Sequence, residues 1–272
     1  MINKQMSIVV VGCDAYSDIA EYYLQFLRKN WPDCPFRVLI ATESHNFSDG
    51  EVANVLCGKE STWTGRAIQA IISTDSPYIL LTVDDIFMSD KVDTNEFLNI
   101  LRFMEEEKIK YYRIPVFRTT KKYEQTYPGN SNAEMIPTNK PYAVSIGTAI
   151  WDRTEILRIL GDGSKSAWDL ENDFSEMSLR GNGDYIEKYV SDKRFLLHSV
   201  HMVKAGKWIG KAAKIMEEKG YDIDYSKRGF IPKSLAFKYD MYAFGSKICP
   251  PFMRRGVKKF LSGLGFKFAT KY

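Results

Sequence analysis

A chain of 272 residues, 44% hydrophobic and 26% charged, has room for one large α/β domain or a domain with a small appendage. Its net charge of +4 excludes nucleic-acid binding driven by overall charge. No apolar run reaches the ~18 residues that a membrane-spanning helix needs. The aromatic share of 14% suits ring stacking or contact with a membrane interface. Cys13, Cys34, Cys57 and Cys249 share no metal-ligand spacing and no compact disulfide framework. They read as reduced thiols of a cytosolic protein. Met1 to Met6 runs straight into a strand and is not a signal peptide.

Taken in order, Ser7 to Gly12 is a buried strand, broken by Cys13–Asp18, where Asp14 or Ser17 can cap the next helix. That helix runs from about Ile19 to Lys29 with Ile19, Tyr22, Tyr23, Phe26 and Leu27 on one face. Pro32 and Pro35 stop it, and Arg37 to Thr42 is a second strand. After a polar stretch from Glu43 to Glu60, a helix runs from Thr62 to about Ser73. The apolar run Tyr78 to Val83 lacks polar alternation and reads as a central strand covered on both faces. A helix from Thr94 to Glu107 and a strand from Tyr111 to Val116 complete an alternating pattern, which predicts a parallel, doubly wound sheet. Right-handed crossovers would put Gly12–Ser17, Thr42–His45 and Asp84–Phe87 on one edge of it.

The second half is less regular. Phe117 to Pro141, rich in Lys, Asn, Thr and Pro, reads as a long loop. Tyr142 to Trp151 is a weakly alternating strand, Asp152 to Leu160 a helix, and Ser166 the N-cap of another helix, with Asp169 three residues on. Phe195 to Val203 is a strand carrying His198 and His201, which would face opposite ways. A last helix spans Ile209 to Lys219.

The chemistry concentrates where strands end. Asp84 and Asp85 follow the Tyr78–Val83 strand at its carboxyl end, where open α/β sheets bind ligands. Adjacent carboxylates repel, so solvent, a cation or donors must neutralise them. Mg²⁺ or Mn²⁺, which bind one or two carboxylates plus substrate phosphates, are the candidate cations. The competing reading is capping of the following segment by Asp85 or Ser89–Asp90. Asp14 and Tyr16 after the first strand, Thr42 and Glu43 after the second, and Trp63 and Arg66 before the third could line a slot for a pyrimidine base and a diphosphate. Trp63 alone also fits plain packing, and Arg66 a solvated helix start. No Walker loop and no G-x-G-x-x-G is present, which argues against P-loop kinases and dinucleotide dehydrogenases. Asp169, Glu171 and Asp173 fan across different helix faces, and one carboxylate beside Trp168 could serve as a general base. Acids matching the helix dipole account for the same residues. Lys207, after a glycine, could close over a diphosphate as a mobile cation.

Together these pieces resemble bacterial glycosyltransferases of the GT-A fold, and more closely the enzymes of surface-polysaccharide and lipooligosaccharide assembly. The resemblance rests on Trp63 at a helix start, Leu80–Phe87, Pro141–Ser145 through Ala149–Trp151, Ser166–Glu171, and Gly206–Lys207–Trp208. It covers most of residues 7–220. It implies a Rossmann-like, mostly parallel sheet flanked by helices, a nucleotide-sugar donor (a UDP-sugar first), and a divalent cation, Mn²⁺ or Mg²⁺. Asp85 would be the metal ligand, joined by His201, and Asp84 a ribose or metal contact. Glu171 would be the base of an inverting displacement, with Asp169 second choice, and Trp168 and Tyr142 would meet a glycan or lipid-linked acceptor. The spacing departs from Asp-x-Asp, because Thr82 or Ile86 stands where one carboxylate would be.

The expected organisation is a catalytic domain over residues 1–220, with a nucleotide-sugar half (1–116) and an acceptor half (117–220), followed by a basic amphipathic extension (221–272). From Met241 onward there is no acid, while Lys247, Arg254, Arg255, Lys258, Lys259, Lys267 and Lys271 are basic. Phe252 to Phe268 has apolar residues at helical spacing, which suits an interfacial helix on an anionic membrane, and a cytoplasmic, peripheral location on the inner membrane face. Two other classes remain open from sequence: a sugar-phosphate nucleotidyltransferase and a non-catalytic glycan-binding protein.

Overall fold

The computed structural model describes residues 3–116, 123–140 and 143–235. Tyr142, Cys249 and the basic helix expected at Phe252–Phe268 lie outside the described residues. Among the described residues no helix is long and apolar enough to cross a membrane.

The chain forms a mixed α/β domain on a nine-stranded sheet. In chain order the first half supplies β1 (Asn3–Val11), α1 (Ser17–Asn30), β2 (Phe36–Thr42), β3 (Val52–Leu56), α2 (Trp63–Ile72), β4 (Tyr78–Val83), β5 (Ile86–Met88), α3 (Thr94–Glu107) and β6 (Tyr111–Arg113). The second half supplies β7 (Thr126–Tyr127), β8 (Asn130–Pro137), β9 (Ala149–Asp152), α4 (Arg153–Leu160), α5 (Ala167–Leu179), β10 (Tyr185–Asp192), β11 (Ser199–His201), β12 (Val203–Lys204), β13 (Lys207–Trp208) and α6 (Gly210–Glu218). The sheet order is β3-β2-β1-β4-β9-β6-β10-β8-β7. β3, β2, β1 and β4 are parallel, and β6 and β10 are parallel to each other.

Strand alternation explains the apolar runs. Ile8 and Val10 of β1 face one core with Ile40, Leu80, Phe26 and Phe97. Val9 and Val11 face a second core with Leu39, Leu81, Ala67, Ile71 and Ile156. Helices α1 and α3 cover the first face, and α2, α4 and α5 the second. A strand buried on both faces cannot alternate with polar residues. The register aligns strand ends: Val11 stands opposite both Ala41 and Val83. The segments after β1, β2 and β4 therefore emerge on one edge, as the sequence predicts.

The expected mostly parallel central sheet flanked by helices is present, and within it β9 enters between β4 and β6 antiparallel to both. An apolar run fixes burial but carries no direction, so the pattern of Ala149–Asp152 was silent on this. Trp151 fills the core behind it, its ring centroid 4.3 Å from that of Tyr111. Two other expectations are corrected. The stretch read as a loop to Pro141 contains the β7–β8 hairpin, which turns at Gly129 with φ of 80°. Its strand edge is polar outside and buries Ala133, Glu134 and Ile136, so composition alone hides it. Finally, Phe195–Val203 is not one strand. Ser199–His201 pairs with β5, Val203 pairs separately with Trp208, and His198 sits at φ of 42°, a left-handed conformation that breaks the run.

Residues 221–235, expected as the start of a separate extension, pack onto the first half. Tyr221 and Ile223 are buried, and the Tyr221 hydroxyl donates to Asn30 Oδ1 at 2.9 Å.

Two side-chain links position the sheet edge. Helix α2 follows β3, so its N-terminus lies at the carboxyl edge. There Thr62 caps the helix and also donates to Gly163 O, while Thr64 Oγ1 donates to Lys165 O and accepts from Lys165 N, each at 2.9 Å. These bonds carry the N-terminus of α5 to the same edge. The other link is Asp14, whose carboxylate accepts from Ser44 Oγ at 2.5 Å and from the Ser44 and His45 amides at 2.9 Å each. The Ser44 hydroxyl, helped by both amides, holds the Asp14 carboxyl down at about 2.

Thr64→Val keeps volume but removes both side-chain bonds at a fully buried site. It is expected to cost about 1–3 kcal/mol in urea unfolding. For Asp14 the folded pKa lies below the unfolded ~3.9, so its stabilisation is present above the unfolded value and is lost as pH falls toward about 2. Asp14→Ala should lower the thermal midpoint near neutral pH, and its gap from wild type should close across that window. A gap of constant size down to about pH 2 would contradict the assignment.

Candidate functional site

β4 delivers its two carboxylates into different surroundings. Asp84 is buried at 6% exposure, and its Oδ2 has no hydrogen-bond partner among the described residues. Gly12 makes room for it: a Cβ there would lie 2.8 Å from Asp84 Oδ2. Burial pushes the Asp84 carboxyl well above the usual range and the neighbouring Asp85 charge adds to this, with Arg228 and Arg66 pulling the other way. Asp85 is partly exposed and turns toward His201. β5 and β11 pair so that Ile86 stands opposite His201, and Met202 N donates to Asp85 O at 2.9 Å. This register brings His201 Nε2 to 3.0 Å from Asp85 Oδ2.

Among the described residues, no three His, Cys, Asp or Glu side chains converge as a ready-made metal centre. The Asp85 carboxylate nonetheless fits a hard divalent cation, with the softer His201 imidazole beside it. Such ions take one or two carboxylates and complete their shell from water and substrate phosphates. The unpartnered Asp84 oxygen beside the pair is a further acceptor for a cation or for a donor group.

Across the first two strands lies a second polar group. Glu43 Oε1 pairs with Arg66 Nη1 at 2.8 Å, and Glu43 Oε2 accepts from the Asp14 amide at 2.6 Å. Arg66 is 7% exposed, donates to Ser61 O at 2.7 Å, and keeps a buried Nε without a partner among the described residues. Thr42 is buried and its hydroxyl donates to His45 O at 2.7 Å, which shapes the turn after β2. Asp14, tied to Ser44 and His45, likewise acts on the loop. Trp63 is partly buried and packs against the second core. Tyr16, half-buried, closes a single 3-10 turn (Asp14–Tyr16) after β1.

Lys207 stands exposed on the β12–β13 hairpin, opposite Lys204. The hairpin turns through Ala205 and Gly206 at φ of 51° and 75°, and it is rooted at Met202, whose amide bonds Asp85. The remaining residues stand on α5. Its N-cap Ser166 accepts from the Asp169 amide and donates to Asp169 Oδ2 at 2.6 Å, so the Asp169 carboxylate serves the cap. Glu171 is half-buried and accepts from Ser145 Oγ at 3.0 Å. Ser145 is itself fixed by the Tyr111 hydroxyl, which donates to Ser145 O at 3.2 Å. Trp168 is 68% exposed.

The structure thus brings Asp14, Tyr16, Thr42, Glu43, Arg66, Asp84, Asp85 and His201 to one sheet edge. Trp168, Asp169 and Glu171 reach that edge through the α2 contacts. Sequence reasoning missed Gly12, Ser145 and Arg228. Gly12 had a signal, a glycine closing an apolar strand just before an acid; Ser145 and Arg228 had none, since their partners are distant in the chain.

No protein-family model matches this chain, and no curated protein sequence matches it. Among solved structures it is similar to S. aureus TarS 1–349, at 12% identity over 69% of this chain and 60% of that chain, with a TM-score of 0.39. For TarS 1–349 in complex with UDP the values are 12%, 82%, 68% and 0.41. For the complex with UDP-GlcNAc they are 14%, 82%, 69% and 0.40. The chain spans less than two thirds of the first of these.

Proposed function

We propose that this chain is a metal-assisted, inverting glycosyltransferase that moves a sugar from a nucleotide diphosphate donor, a UDP-sugar first, to a hydroxyl of a growing surface glycan. The observation that carries the proposal is the Asp85–His201 pair at the carboxyl end of β4, beside a buried, unpartnered Asp84 oxygen. A diphosphate leaving group needs positive charge near it; the Asp85 carboxylate is suited to hold Mn²⁺ or Mg²⁺, and the softer His201 imidazole beside it favours Mn²⁺ of the two. When bound, that cation supplies charge neutralisation for the departing diphosphate.

The other roles follow from position. The Glu43–Arg66 pair offers a donor and an acceptor to the polar edge of a pyrimidine base, and Tyr16 offers a ring beside it. Glu171 is the general base. Ser145 occupies its Oε1 and orients the carboxylate, leaving Oε2 to take the proton of the acceptor hydroxyl. The acceptor oxygen, its proton passed to Glu171, bonds to the anomeric carbon as the bond from this carbon to the phosphate oxygen breaks, and the nucleoside diphosphate leaves with the electron pair. Exposed Trp168 offers a flat apolar face to the acceptor sugar. Asp169 is the weaker candidate for the base, because its carboxylate is engaged at the helix cap.

Asp85→Asn should lower donor turnover by about two orders of magnitude or more, measured with a panel of nucleotide sugars with and without Mn²⁺. Wild-type rates in that variant, or rates indifferent to a chelator, would count against the cation role. Glu171→Gln should keep donor affinity within a few-fold and lose about 10²–10⁴-fold in transfer rate. An unchanged rate would clear Glu171 of the base role.

A further inference from the structure

The segment after α6 comes back to the carboxyl edge of the sheet. Tyr221 anchors it against Asn30, with its ring centroid 4.7 Å from that of Phe26. Trp208 N donates to Gly229 O at 3.0 Å, and Ile231 N donates to Trp208 O at 3.0 Å. Between these anchors Arg228 crosses to the turn that follows β1. Its Nε donates to Asp18 Oδ2 at 2.9 Å, and its Nη2 donates to Asp18 Oδ1 and to Ala15 O. The guanidinium carbon stands 4.6 Å from the centroid of the Tyr16 ring, as a stacked cation. The Tyr16 hydroxyl reaches the backbone of Gly206 in the β12–β13 turn.

Arg228 therefore grips the turn after β1 and the first turn of α1 in three ways: a bidentate ion pair with Asp18, a bond to the Ala15 carbonyl and a face on the Tyr16 ring. Both charged side chains are largely shielded, at 14% and 16% exposure, so the pair is less screened than an ordinary surface pair. The surrounding segment is already fastened by Tyr221, Gly229 and Ile231. The arginine adds little to holding the segment down and much to fixing Tyr16.

We infer that Arg228 is a positioning residue for the nucleotide diphosphate, acting through Tyr16. This inference rests on the donor site proposed above and extends it into residues 221–235. A ring already oriented before the base arrives costs less to order on binding, so the gain is in donor affinity. The planar fork is what the geometry uses: a lysine keeps the charge but cannot bind Asp18 bidentately while lying flat on the ring.

The test is calorimetric titration of the full chain with UDP in the presence of Mn²⁺. Arg228→Gln and Arg228→Lys should each weaken UDP binding about tenfold, and Tyr16→Ala by at least as much. Combined with Tyr16→Ala, Arg228→Gln should add no further loss, since both act at one point. Wild-type affinity in Arg228→Gln overturns the inference, and so do losses that simply add. Thermal unfolding confirms that each variant is folded. If Arg228→Gln is not, Asp18→Asn releases the same fork and must show the same tenfold loss, or the inference fails. Should the wild-type chain take up no UDP at all, the proposed donor site falls, and this inference with it.

Discussion

A carboxyl group buried at the end of a central strand constrains the rest of this molecule. Asp84 is held away from water with one oxygen unmatched among the described residues, against Gly12, where a Cβ would lie 2.8 Å from that oxygen and displace the carboxylate. Nothing in the packing of the two cores calls for an acid there. An apolar residue of similar size would remove the desolvation cost, so the position has a reason outside stability. Asp85, one residue on, is spared that cost because it turns outward to His201. Two adjacent acids thus occupy two dielectric environments, and the Asp85 charge adds to the burial that holds Asp84 toward its neutral form.

The geometry around this pair depends on contacts between distant parts of the chain. His201 reaches Asp85 because β11 pairs with β5 in one register, and a one-residue slip would point it to the opposite face. Glu171 reaches the same edge because the turn before α5 is bonded to the start of α2. Both links are main-chain or short side-chain bonds, which hold position more tightly than long flexible side chains. The second half of the chain is in this way tied to the first half at two places.

Much of the fold was legible in the sequence. The run of β4 read as a central strand because it lacks polar alternation, those of β1 and β2 as strands, and Ser166 read as a cap because of its spacing to Asp169. The direction of β9 was not legible, since Ala149–Asp152 is equally apolar read either way. The β7–β8 hairpin escaped because its outward residues are polar and its turn residues resemble those of a loop. At the site, the acidic pair and the cluster after β2 could be singled out by their place at strand ends. The Asp85–His201 approach is a matter of register, and the Arg228–Asp18 pair of a chain return 210 residues long, neither of which local composition encodes.

The antiparallel insertion of β9 also bears on how the protein is made. β3, β2, β1 and β4 can assemble once Val83 has been synthesised, but the outer edge of β4 is closed only by Ala149–Asp152. At about 5–20 residues per second the ribosome leaves that edge open for several seconds. Through that interval Ile79, Leu80 and Leu81 present unpaired main-chain groups on an apolar ribbon, the kind of template that recruits foreign strands. Nascent chains stalled between these two points are where chaperone demand and aggregation should concentrate.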